Sequence, residues 1–190
     1  MRTVAMPPHT HPRAAGFGYN WLHMETKTTL ALTSDVFRDG QTMPMSAVFD
    51  GFGCTGNNRS PDLTWSGAPT GTQSYAVTIW DPDAPTTVGF VHWVVFDIPA
   101  DVVSLAEGAG SQKGAGVGAI QGYTDFGFNA YGGPCPPVGH GLHRYYHTVY
   151  ALDVEKLGLD ESATYALFRY MIRSHTLATA EIVGTYGRPA

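Results

Sequence analysis

A mainly β fold is what this sequence predicts, and three observations point to it. Glycine and proline are abundant, 23 and 13 among 190 residues. That suits a turn-rich architecture, since Gly supplies positive φ and Pro fixes φ in tight turns. The apolar runs are short, rich in Val, Ile, Thr and aromatics, and closed by Gly, Pro and Asp clusters before a helix of ordinary length could form. Only Asp160 to His175 carries clear helical spacing. A chain that is 43% hydrophobic and 14% charged is long enough to bury the core of one domain.

In chain order, residues 1–28 read as an irregular N-terminal extension, where Pro7-Pro8, His9, His11-Pro12 and Gly16 to Gly18 interrupt any period. The domain proper occupies 29–190. Ala47 to Phe49 runs into Asp50-Gly51 and a glycine-rich loop to Asn58, and Leu63 to Trp65 runs into Ala68-Pro69-Thr70-Gly71. Tyr75 to Trp80 and Phe90 to Ile98 are the expected central strands, apolar on both faces. Ser104 to Gly118 reads as a loop wrapping the sheet, Arg144 to Leu152 as a further strand, and Ile182 to Tyr186 as the last. Asp160 or Ser162 is the expected cap of the helix, whose Ala163, Leu167, Tyr170, Met171 and Ser174 recur at helical spacing.

The net charge of -5 and the absence of a basic run argue against a general nucleic-acid binder, which needs clustered Lys and Arg to neutralise phosphates. No apolar stretch approaches the roughly 20 residues of a membrane span, and the first residues lack the apolar core of an export signal. A cytoplasmic address is expected. Cys54 and Cys135 fit two free thiols or one bridge, and the missing export signal favours free thiols.

The chemistry concentrates in two stretches. One is Asp81-Pro82-Asp83-Ala84-Pro85 followed by Val91-His92-Trp93; the other is Gly132-Gly133-Pro134-Cys135-Pro136-Pro137-Val138-Gly139-His140-Gly141-Leu142-His143-Arg144-Tyr145. Strand alternation puts His143 and Tyr145 on one face, so an imidazole and a phenol share a pocket. The Gly- and Pro-rich run is too constrained for regular structure and suits a nest, with the amides of Cys135, Val138 and the glycines turned toward an anion. A hairpin return across Pro85 to Gly89 brings Asp81 to His92, where the carboxylate raises the proton affinity of the imidazole, shares a proton with the ligand or faces an ammonium group. Asp83 is expected to hold the turn by an Asx-type bond, Arg144 to form a salt bridge or touch ligand, Trp93 to pack in the core and Phe90 to sit at the rim. His9, His11, His23, His140, His147 and His175 default to exposed or structural roles.

Asp81, His92 and His143 lack the tight local spacing of a specific metal site, so no metal and no cofactor are expected. Cys135 lies between prolines with no activating helix N-terminus, and Ser60 lies in no G-x-S-x-G elbow, which makes a thiol or serine nucleophile a weak reading.

With Arg38-Asp39-Gly40, the Asn57 to Trp65 stretch and the closing Gly184-Thr185-Tyr186, these motifs resemble the phosphatidylethanolamine-binding protein family, in particular its bacterial Raf-kinase-inhibitor-like branch, from about Leu32 to about Arg188. The resemblance implies a Greek-key antiparallel β-sandwich with a few peripheral helices. It also implies that Asp81, His92, Pro137, His143 and Tyr145, with Cys135 beside them, line a small cavity for phosphate, carboxylate or a phosphoethanolamine head group. The expected function is non-catalytic binding by a monomer or homodimer, with regulation through a protein partner that the sequence does not identify. The competing expectation is an enzyme of a natural-product pathway, using His92, His143, Tyr145 and Asp81 as acid and base groups on an anionic intermediate.

Overall fold

The computed structural model describes residues 29–190, so the expected extension over 1–28 lies outside the described residues. Along the chain come β1 (Ala31–Thr33), β2 (Asp50–Gly51), β3 (Cys54–Thr55), β4 (Leu63–Ser66), β5 (Ser74–Asp81), β6 (Phe90–Pro99), β7 (Ser104–Leu105), β8 (Ile120–Gln121), β9 (Gly141–Leu152), α1 (Tyr165–Ile172) and β10 (Thr176–Arg188). A five-stranded sheet in the order β10-β9-β5-β6-β8 faces a three-stranded sheet in the order β1-β4-β7, and all named pairs are antiparallel. The fold is the expected mainly β sandwich. β5 and β6 form a hairpin, and the chain returns much later to lay β9 on the other side of β5, the long return of a Greek key.

Burial explains which runs became which strands. β5 and β6 are almost continuously apolar because the main core, with Leu63, Trp65, Val77 and Val95, covers one face and a second cluster around Phe96 and Phe168 covers the other. β4, by contrast, alternates buried and exposed, the signature of a sheet with one wet face. Trp93 lies in the core as expected, its indole N–H donating to Gln121 at 2.7 Å.

Two expectations need correction. Among the described residues there is one helix rather than a few, and it is shorter than Asp160 to His175: Thr164, not Asp160 or Ser162, accepts from the amide of Leu167 as the cap. It buries Phe168 and Ile172 while Leu167 and Tyr170 are exposed, so the packed face differs from the expected one. Free thiols are also wrong, because Cys54 and Cys135 form a disulfide across 81 residues of sequence. The reason is spatial: the β2–β3 hairpin lies against the loop leading to β9, a neighbourhood that the local sequence around either cysteine does not report.

Candidate functional site

Strand order decides the geometry. Asp81 ends the central strand β5, which lies between the two imidazole-bearing strands, β6 on one side and β9 on the other. His143 donates from Nδ1 to Asp81 Oδ2 at 2.7 Å, and both side chains are buried. Asp81 therefore orients His143, not His92 as the hairpin argument anticipated. Its other oxygen, Oδ1, accepts from the amides of Asp83 at 2.8 Å and Ala84 at 3.1 Å, so the Asx-type turn expected of Asp83 belongs to Asp81. Asp83 instead takes a two-pronged contact from Arg144, at 2.8 and 2.7 Å, which lowers the pKa of its carboxyl and leaves Arg144 as a salt-bridge residue outside the cavity wall.

His92 is anchored differently. Its Nδ1 donates to the Gly132 carbonyl at 2.6 Å, and burial pushes its pKa down despite that bond and the charge of Asp81, favouring neutral imidazole. Tyr145, on β9 two residues beyond His143, is 1% exposed, and its hydroxyl has no hydrogen-bond partner among the described residues. Burial first, then the Asp81 carboxylate, raises the phenol pKa, so it stays a neutral donor.

Asp81, His92, Cys135, Pro137, His143 and Tyr145 all line one cavity of about 220 Å³. The expected nest does not form from its glycines: the amide of Gly132 donates to His92 O, that of Gly133 to Asn58 Oδ1 and that of Gly139 to Arg188 O. Three wall and contact residues escaped the sequence reading. Phe126 stacks at 8° on Phe52 and meets His92 edge-on, making an aromatic wall with the expected Phe90. Phe52 stands at the tip of the β2–β3 hairpin with φ 51 and 74% exposure, in a left-handed conformation that a bulky residue rarely adopts. Its only sequence signal was the surrounding run of glycines; Phe126 had none. His140, expected to be merely exposed or structural, contacts the site directly, its Nδ1 lying 2.7 Å from His143 Nε2.

A larger groove of about 950 Å³ lies on the α1 side of the same sheet; it holds Arg144 but none of the six residues expected to bind ligand. The small cavity is where buried imidazoles, a carboxylate and an unpaired phenol converge.

Residues 33–187 match the family model described as phosphatidylethanolamine-binding protein. The chain belongs to that family. It is 48% identical over 157 residues to the UPF0098 protein YbcL of Escherichia coli, covering 82% of this chain and 86% of the relative. It is 44% identical over 158 residues to the UPF0098 protein YbhB of the same organism, covering 83% and 99%. The crystal structure of E. coli YbcL superposes with a TM-score of 0.81 at 47% identity, covering 83% of this chain and 98% of that one. A phosphatidylethanolamine-binding protein from Plasmodium vivax shares the fold at TM-score 0.56 and 16% identity, over 88% of this chain and 90% of its own. No helix among the described residues is long and apolar enough to cross a membrane.

Proposed function

We propose that this family member is a non-catalytic binding protein whose small cavity takes a phosphate- or carboxylate-bearing ligand of head-group size. The observation that carries the reading is the Tyr145 hydroxyl, a buried donor with no partner among the described residues, in the wall of a cavity that also presents His92 and His143. An unpaired buried hydroxyl is destabilising unless something bonds to it, and a ligand oxygen is the natural acceptor. The Phe52, Phe90 and Phe126 wall keeps the volume small and suits a compact apolar linker beside the charged group. The alternative, an acid-base enzyme, draws on the carboxylate-oriented His143; it requires turnover of an anionic substrate that His143→Ala abolishes.

Calorimetric titration with inorganic phosphate tests the binding reading. His143→Ala should remove a charge-assisted hydrogen bond of about 1.5 to 3 kcal/mol and weaken binding roughly ten- to a hundredfold. Tyr145→Phe should cost less, since it removes one neutral donor. Phosphate affinity unchanged in a folded His143→Ala variant would sink the assignment.

A further inference from the structure

We propose that Phe52 is the specificity-determining residue of this cavity: its ring covers a compact apolar substituent on the bound acid group, so the ligand is a substituted phosphate or carboxylate rather than the bare anion. The inference rests on the binding reading above and adds to it a ligand class and the residue that selects it.

The turn at the tip of the β2–β3 hairpin leads there. Gly51 pairs with Cys54, so the loop is Phe52 and Gly53 alone, and both have positive φ, 51 and 79. A two-residue hairpin loop of that kind favours Asn-Gly, Asp-Gly or Gly-Gly, because a bulky side chain is strained there. Local turn chemistry therefore argues against phenylalanine. Packing does not compensate for the strain. The ring lies 5.3 Å from Phe49 and 6.1 Å from Phe126 between centroids, yet the residue is 74% exposed, and most of its apolar surface stays in water. A residue held against the local rule with so little local gain points to a function.

The conformation is imposed from outside the turn. Arg188 Nη1 donates to the Phe52 carbonyl at 3.2 Å, and Cys54, two residues on, is bridged to Cys135 in the opposite wall. The ring is thus presented to the cavity on a tethered arm, which lowers the ordering cost of binding.

The cavity is two-sided in chemistry. Its sheet side carries His92, His143 and Tyr145, and its loop side carries Phe52, Phe126 and Pro137. Phe126 joins the two sides, edge-on to His92 at 5.3 Å and almost parallel to Phe52. An acid group held at the imidazoles and the Tyr145 hydroxyl therefore directs its substituent along Phe126 toward Phe52. Volume agrees: about 220 Å³ corresponds to roughly seven waters at liquid density, and a bare phosphate or acetate replaces only a few of them. An apolar group of ring size fills the remainder and covers the exposed face of Phe52.

Calorimetry on the whole chain with two matched pairs of probes, phenyl phosphate against inorganic phosphate and benzoate against acetate, tests the proposal. In the parent the substituted member of each pair should bind at least about tenfold more tightly. Phe52→Asn installs the residue that the turn favours, so the variant should unfold at no lower denaturant than the parent. Its preference should nevertheless fall to within about threefold of equal binding in both pairs. Phe52→Tyr, which keeps the ring, should keep the preference. Equal binding within each pair by the parent, or a preference that survives Phe52→Asn, overturns the proposal. So does a Phe52→Asn variant that unfolds at lower denaturant and loses both members of a pair equally, because the ring then only props the wall. If His143→Ala weakens both phosphates while Phe52→Asn leaves their ratio at the parent's, the selector fails and the site stands. If His143→Ala binds both as the parent does, the site itself is wrong.

Discussion

At the scale of single residues, the fold's response to acid is written in His147, a fully buried imidazole beneath the site. Its Nδ1 donates to the Tyr145 carbonyl at 2.8 Å, and Phe37 packs on the ring at 4.8 Å. Burial is the main cause that pushes its pKa down to about 4. The unfolded chain binds this proton near the ordinary histidine value of about 6.5, so between the two values the unfolded state holds more protons and stability falls as pH falls. Over that window the loss should approach about 3 kcal/mol, with none from this group above it. Urea unfolding at neutral and mildly acidic pH should show a larger drop for the parent than for His147→Leu. Equal drops would mean that the buried ring accepts its proton in the folded state. The residue scale was also where the sequence was least legible. Asp81, His92, His143 and Tyr145 were nameable because both motifs and strand alternation point to them, but Asp81 bonds to His143 because β9 lies beside β5, and no local spacing encodes which strand returns there.

At the scale of elements, the segment from Gly132 to Pro137 is a cavity wall, and its glycines are explained by close approach rather than by amides turned toward an anion. A Cβ on Gly133 would stand 2.0 Å from the Ala47 carbonyl oxygen and 2.6 Å from the Phe49 amide, so the two backbones are in contact there. Gly133→Ala must push this wall off the 47–49 segment and break the bond from its amide to Asn58. A loss of at least about 2 kcal/mol is expected, with weaker phosphate binding, read by thermal unfolding and titration. A variant as stable as the parent would mean that the wall shifts freely. Elements were legible in proportion to their burial: β5 and β6 announced themselves as apolar runs closed by turns, whereas β2, β3, β7 and β8 are two-residue pairings that no periodicity can show. The helix was overextended because Asp160 and Ser162 have the chemistry of caps; they spend it on each other, the Ser162 amide and hydroxyl both bonding to Asp160 Oδ1.

At the scale of the whole molecule, the fold class was legible because many weak signals agreed, while the long-range closure was not. The disulfide is the clearest case. Cys54 lies on β3 and Cys135 in the loop before β9, and the bridge fastens the Phe52 hairpin to the Pro136-Pro137 wall, so both sides of the cavity mouth hang on one covalent link. Arg188, at the end of the last strand, adds its Nη1 against both sulfurs and the Phe52 carbonyl, tying the C-terminal end of the sandwich to the same point. A link closing 81 residues removes much of the unfolded chain's freedom, and on a chain-entropy account this stabilises the fold by about 4 kcal/mol. Guanidinium unfolding of the oxidised parent and of a Cys54→Ser, Cys135→Ser double variant measures it, and the variant should unfold at clearly lower denaturant with weaker phosphate binding. Alkylation of the denatured parent without reductant should label neither cysteine. Labelling of both, together with unchanged unfolding in the double variant, would show two thiols and a cavity mouth held by packing alone.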